Sequence, residues 1–539
     1  MPTITFSIDD LNKLVGEKLD DKKLTWLLDC AKAELDAKLN TEATVKFNDT
    51  NLPYLWSVEG LARLFRGLLG KKQLPIKTEK PKDKVSYDKR LSRIRPYIAC
   101  FKATGRKIDD YLLTQLIQMQ EKLAENFGRK RQKISIGVYP LKNISFPVAC
   151  KAANPSELFT PLDFHQPMSL RQALEKHPKG KEYGHLIKNE NVYPVFIDAK
   201  KEIMSLIPII NSEKTGKVQV GDDSLFFDTT GTDEESVNLV ANIFAYALAE
   251  RGFTIEPLTI EAGRRTVTPN FSTKKIKLNE ADVEKLLGLK LKSNEIKIAL
   301  EKMGYSYSAG TVTIPCYRND IMNSVDIIED IGIAYGYQHF TPLPLTSYTI
   351  GGTTPIQQKI LAQRTFWIGL GYQETMSAVL SSKELLYDKM HVEDWGTVEI
   401  ENFISQTYSC VRTWILPQLL DILSKNKHVD YPQRIFEQGL ATVREKEAHD
   451  QQHLAAATAH SQATFTEMRQ AVENAFRNAG IQYTVEEYEL GCFIPGRAAK
   501  VIVDKKQVAF IGEMHPKVLE KFGITVPVSA CEIDLSALF

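Results

Sequence analysis

Short β-rich runs alternate with amphipathic helices along this chain, and no strand is followed by a phosphate-binding glycine loop. This limits the fold more than any other feature. A doubly wound nucleotide-binding sheet needs such a loop, whereas an α+β arrangement does not. The runs Ile134–Tyr139, Val195–Asp198 and Leu225–Thr230, with a helical stretch from Ser236 to Gly252, show the pattern. At roughly 150 residues per domain, 539 residues predict three or four domains. Composition shifts and the Pro342, Pro344 and Gly351-Gly352 linker divide an α+β multidomain protein into 1–90, 91–270, 271–346 and 347–539.

Apolar spacing predicts helical structure from Asp9 to Leu39, through Leu11, Leu14, Val15 and Leu19, then Leu24, Leu27, Leu28, Ala31 and Leu35. A strand is expected at Thr3–Ile8, and a helix begins at Ser57 and ends near Gly70. Residues 272–346 read as strand, two helices, strand and a helix from Met322 to Gly336. Beyond residue 355, long helices alternate with strands in an antiparallel α+β pattern.

Lys and Arg number 68 against 67 Asp and Glu, so the net charge of +1 excludes a wholesale basic coat for nucleic acid. Attraction to RNA would have to be local. Residues 71–95 carry ten basic side chains against three acids, either a solvated linker or a phosphate-contacting patch. No run reaches the roughly 18 apolar residues of a membrane helix. The acidic N-terminus lacks the features of a signal peptide, so a cytoplasmic location is expected. Seven cysteines, none in a C-x-x-C pair, are expected as buried thiols.

The sharpest constellation is Arg318-Asn-Asp-Ile-Met-Asn-Ser-Val-Asp-Ile-Ile-Glu-Asp330. On a helix, Asp326, Glu329 and Asp330 share one face, with Asp320 just before it. Like charges at that spacing repel, so a divalent cation, a basic partner or bulk water must compensate them. Segments 206–215 and 227–233 gather hydroxyls, an amide and carboxylates, as small polar pockets do and as helix caps do. His449-Asp-Gln-Gln-His453 spaces two imidazoles like a zinc pair but lacks the glutamate of a zinc protease, and reads as two exposed histidines. The P-loop, nucleophile-elbow and zinc-protease signatures are absent.

Several longer motifs carry a resemblance. Asp49-Thr-Asn-Leu-Pro-Tyr-Leu-Trp-Ser-Val-Glu-Gly-Leu-Ala-Arg63, Ser135-Ile-Gly-Val-Tyr139, Pro208-Ile-Ile-Asn-Ser212, Ile314–Met322, Val325–Tyr337, Arg412–Leu420 and Gly512–Phe522 resemble, in order, the β subunit of phenylalanine–tRNA ligase. The length resembles the archaeal and eukaryotic form, without the anticodon-binding domain of the longer bacterial one. Pro140 and Phe403 depart from the family pattern.

The resemblance implies an N-terminal α/β module, an editing domain, a small B5-type domain and a class II synthetase-like core lacking catalytic motifs. It implies a partner α subunit in an (αβ)2 heterotetramer that attaches phenylalanine to tRNA(Phe) with ATP and magnesium, the synthetic active site lying in the α subunit. It implies a magnesium site, shared with that subunit, at Asp320, Asp326, Glu329 and Asp330. The middle domain would hydrolyse tyrosyl-tRNA(Phe), with Leu206, Asn211, Ser212, Thr215, Asp228, Thr230 and Asp233 as the candidate pocket. The alternative is an RNA-binding or assembly subunit without editing activity.

Overall fold

The computed structural model describes residues 1–444 and 446–539, in two compact units, Met1–Leu343 and Pro344–Phe539. The expected segments 1–90 and 91–270 and nearly all of 271–346 lie in the first unit, and 347–539 lies in the second.

The first unit opens with a three-stranded antiparallel sheet of Thr3–Ser7, Glu42–Phe47 and Ala33–Leu39. Here the structure corrects the expected helical run from Asp9 to Leu39. Helices end at Val15 and Cys30, and Lys32 takes a left-handed conformation (φ 54°) that turns the chain into a strand. Leu35 and Leu39, which complete the helical spacing, are 38% and 72% exposed on that strand. Hairpin pairing to Glu42–Phe47 therefore outweighs an apolar spacing that buries nothing at its end. Helix Val58–Leu68 starts where Ser57 caps it, its Oγ accepting from Gly60 N at 3.1 Å.

A ten-stranded sheet fills the middle of this unit, with Ser224–Gly231 between Tyr97–Thr104 and the edge strand Ile134–Pro140. Side chains alternate across it. Phe227 packs on Phe101 (ring centroids 4.6 Å apart) and on Phe244 of helix Glu234–Glu250, while Phe226 turns to the opposite face with Tyr139 and Phe196. Asp228 follows Phe226 onto that second face, so the sheet's pleat aims the carboxylate. A further three-stranded sheet, Lys274–Lys277, Thr311–Ile314 and Ser306–Ser308, packs with helices Glu280–Leu287, Ser293–Lys302 and Ser324–Tyr335.

The second unit is built on a seven-stranded sheet that is antiparallel except at the short strand Gln373–Glu374. Along its strand Ala448–Ala459, Ala455 and Ala457 face the core of helix Leu416–Lys425, and Leu454 and Ala456 face that of helix Phe465–Asn478. Small alanines on both faces let helices approach from either side. His449 and His453 lie on this strand; His449 is exposed, but His453 is largely covered, with Nδ1 2.8 Å from Glu532 Oε1. All seven cysteines are free thiols, six buried and Cys316 partly so.

Candidate functional site

Two groups of carboxylates were singled out in the sequence, and the first unit treats them differently. Asp228 lies opposite Gly137 on the edge strand and opposite Cys100 on the other side. It reaches a cavity of about 280 Å³ whose wall includes Leu116, Ile136, Val138, Leu206 and Ile209, with Tyr139, Ser205, Asn211 and Arg131 as polar lining. A Cβ at Gly137 would overlap both Asp228 Oδ2 and the Tyr139 hydroxyl, so only glycine leaves the carboxylate its space.

Asp228 is 3% exposed, and its Oδ2 has no hydrogen-bond partner among the described residues. Burial pushes its carboxyl up to about 7, although the Tyr139 hydroxyl and the Arg95 guanidinium both favour the charged form. Tyr139 Oη donates to Ser205 Oγ at 2.9 Å. Buried Arg95 donates to the carbonyls of Gln132 and Arg131 at 2.8 and 2.7 Å, and burial draws its own value down to about 10. A carboxyl in a cavity wall that titrates near neutrality can both take and return a proton.

The remaining candidates divide. Leu206 and Asn211 line the cavity, and Asn211 Nδ2 donates to Val138 O at 3.2 Å. Thr230 is buried beside it, its hydroxyl 2.9 Å from that of Ser135, which does line it. Ser212, Thr215 and Asp233, like Thr230, lie outside the lining of this cavity. Ser212 Oγ caps the single turn Glu213–Gly216 by accepting from Thr215 N at 3.2 Å, with the Thr215 hydroxyl 2.7 Å away. Asp233 caps Glu234–Glu250, accepting from Ser236 N at 3.0 Å. Tyr139, Ser205, Ser135, Arg131 and the supporting Arg95 were missing from the candidate set. Tyr139 and Ser135 sit in a motif already noticed, but only the folded chain brings Ser205, on strand Ile203–Leu206, and the loop residue Arg95 to it.

The acidic helix is compensated within the chain. Asp330 is buried, accepting from the Tyr305 hydroxyl and from Arg318 Nη2 at 2.9 Å. Burial raises its pKa, against the pull of Arg318 and Tyr305. Arg318 also clamps Asp320, with Nε 2.8 Å from Oδ1. Asp326 Oδ2 accepts from the backbone of Met322 and Asn323 at 2.7 and 2.9 Å, closing a capping box with Asn323. Glu329 is exposed and 2.7 Å from Lys32, which also lies 3.1 Å from Asp49. The expectation of three carboxylates on one open face is therefore corrected, since Asp330 points inward and Arg318 and Lys32 supply the positive charge. Among the described residues, no three His, Cys, Asp or Glu side chains form a group able to hold a metal ion.

The model of the phenylalanyl tRNA synthetase beta chain CLM domain matches residues 341–535, and that of the tRNA synthetase B5 domain matches 276–337. The phenylalanine–tRNA ligase beta subunit of Pyrococcus furiosus is 40% identical over the whole of both chains. The chain belongs to the phenylalanine–tRNA ligase beta-subunit family. The beta subunit of Archaeoglobus fulgidus is 37% identical over all of this chain and 99% of its own. A crystal structure of an N-terminal fragment of the phenylalanyl-tRNA synthetase beta subunit from Pyrococcus horikoshii superposes with a TM-score of 0.60 at 40% identity, covering 62% of this chain and all of the fragment. The recognition made from motifs therefore holds, and the chain is a subunit of an aminoacyl-tRNA synthetase. Among the described residues, no helix is long and apolar enough to cross a membrane.

Proposed function

We propose that this chain pairs with an α subunit, in an (αβ)2 heterotetramer in the cytoplasm, to attach phenylalanine to tRNA(Phe) with ATP and magnesium, and that its own cavity hydrolyses tyrosyl-tRNA(Phe). The need is physical. Tyrosine differs from phenylalanine by one hydroxyl, and an apolar pocket rejects an isostere that merely adds a hydroxyl by only about a hundredfold.

One observation carries the hydrolytic reading: a buried carboxyl with a partnerless oxygen lies in the wall of an aromatic-sized cavity. Ionised Asp228 takes a proton from a water, whose oxygen attacks the ester carbonyl. The proton then goes to the departing ribose oxygen, leaving free tyrosine and an intact tRNA 3′ end. Ser205, Asn211 and Tyr139 offer partners for a phenol hydroxyl, which a phenylalanyl ring would leave without a ligand group. Ser212, Thr215 and Asp233 hold the frame by capping. In the assembled complex, Asp228→Asn is expected to slow tyrosyl-tRNA hydrolysis by about a hundredfold or more. Hydrolysis at the wild-type rate would remove the assignment.

Magnesium fits the acidic helix in a restricted way. Asp326 engages only Oδ2 and Glu329 only Oε1 among the described residues, which leaves each with a free oxygen. Magnesium commonly takes one or two carboxylates and several waters, so Asp326 and Glu329 would hold it together with oxygens of the α subunit. Asp320 and Asp330, both committed to Arg318, would sit behind them. The ion would supply a positive charge joining the two subunits. Magnesium titration of the complex with Glu329→Gln is expected to show weakened binding, and an unchanged titration would drop Glu329 from the set.

A further inference from the structure

The loop Gly128-Arg-Lys-Arg-Gln-Lys133 stands at the rim of the Asp228 cavity, because Arg131 forms part of its wall. Three successive non-glycine residues are left-handed there, Arg129, Lys130 and Arg131, with φ of 50°, 51° and 63°. Bulky side chains rarely adopt that conformation, so a run of three persists only where its surroundings hold it.

They do hold it. Arg95 grips the carbonyls of Arg131 and Gln132, and the amides of Lys130 and Arg131 return to Glu125 O and Ala124 O at 2.9 and 3.0 Å. Arg131 in turn donates to Ile209 O at 2.7 Å and lies over the Tyr183 ring, 4.2 Å from its centroid.

The charges in the loop have different fates. Arg95 and Arg131 are spent on backbone carbonyls. Among the described residues, the loop's ion pairs are Arg131 with Glu125 at 4.0 Å and Lys133 with Asp233 at 3.5 Å. Arg129 and Lys130 are exposed and enter neither an ion pair nor a side-chain hydrogen bond among those residues. A strained, anchored turn thus presents two free cations one and two residues from the cavity wall. An ester of a terminal ribose held in the cavity carries its next phosphates immediately outside the mouth. Arg and Lys side chains carried on an anchored backbone supply position and salt-dependent affinity to such phosphates.

We propose that Arg129 and Lys130 form a clamp for the sugar-phosphate backbone of the tRNA acceptor end, an inference that rests on the hydrolytic reading of the Asp228 cavity. The clamp lowers KM for the long substrate and contributes nothing to the bond-breaking step.

The test uses the assembled complex and the double variant Arg129→Gln, Lys130→Gln, which removes charge while leaving the buried anchors intact. Two substrates are compared, tyrosyl-tRNA(Phe) and 2′(3′)-O-tyrosyladenosine, which lacks the upstream phosphates. The clamp predicts a KM for tyrosyl-tRNA raised about tenfold, and a log–log salt dependence shallower by about 1.4 for two single-stranded phosphate contacts. It further predicts that the loss is confined to the phosphate-bearing substrate, and that Arg129→Lys, Lys130→Arg restores the KM. Wild-type KM and salt slope in the glutamine variant would overturn the clamp while leaving the hydrolytic reading standing. A wild-type complex that hydrolyses neither substrate would overturn that reading and the clamp with it. Equal losses on both substrates would make the loop a structural support of the cavity and overturn the clamp alone.

Discussion

Asp330 and Asp228 are both buried carboxylates whose pKa burial raises, yet their surroundings are opposite. Asp330 meets an arginine that also holds Asp320, and a tyrosine hydroxyl. Asp228 keeps one oxygen without a partner beside an empty volume, and a glycine is required to leave it room. A satisfied buried carboxylate braces a fold. One left unsatisfied at a cavity costs stability and is retained where chemistry needs it.

The largest test of this contrast breaks the braced side. Arg318→Met strands Asp320 and Asp330 together, and loss of one partner of a buried pair is expected to cost about 3–5 kcal/mol. Chemical denaturation of the full chain checks it; a change below about 1 kcal/mol would make the Arg318 cluster no different from surface pairs. Gly137→Ala is next, with overpacking expected to cost about 1–3 kcal/mol while tyrosyl-tRNA hydrolysis collapses, since the methyl group displaces the Asp228 carboxylate. Asp228→Asn should separate the two properties, losing hydrolysis without a comparable loss of stability.

The pH dependence sharpens the same difference. The Asp228 carboxyl is raised from the usual carboxylate range to about 7. Between about pH 4 and pH 7 the folded state therefore retains a proton that the unfolded chain has released. Its contribution to stability is full below that window and is lost as pH rises through it, so unfolding measured across the window should lose part of its slope in Asp228→Asn. Over the same range hydrolysis should increase as the base ionises. The smallest effect belongs to Lys32→Ala. Its exposed pairs with Glu329 and Asp49 are expected to contribute at most about 1 kcal/mol, read from thermal unfolding.

Much of the fold was legible. Helix Ser324–Tyr335 and strand Ser224–Gly231 follow from local spacing and caps, and the capping role of Asp233 was one of two readings open from the start. The failure at Ala33–Leu39 has a definite cause, because Leu35 and Leu39 mimic a helical face that the chain does not bury. In the pocket, neighbours along the chain were over-credited. Ser212 and Thr215 satisfy each other within one helical turn, whereas Ser205, Tyr139 and Arg95 come together across separate elements.

Residue order determined by itself the family, the alternation of strands and helices, and the two segments that hold carboxylates. Only tertiary structure decided which carboxylate is neutralised and which is left open. Charge compensation and desolvation depend on distances between side chains far apart in the chain, as Lys32 meets Glu329 and Gly137 makes way for Asp228.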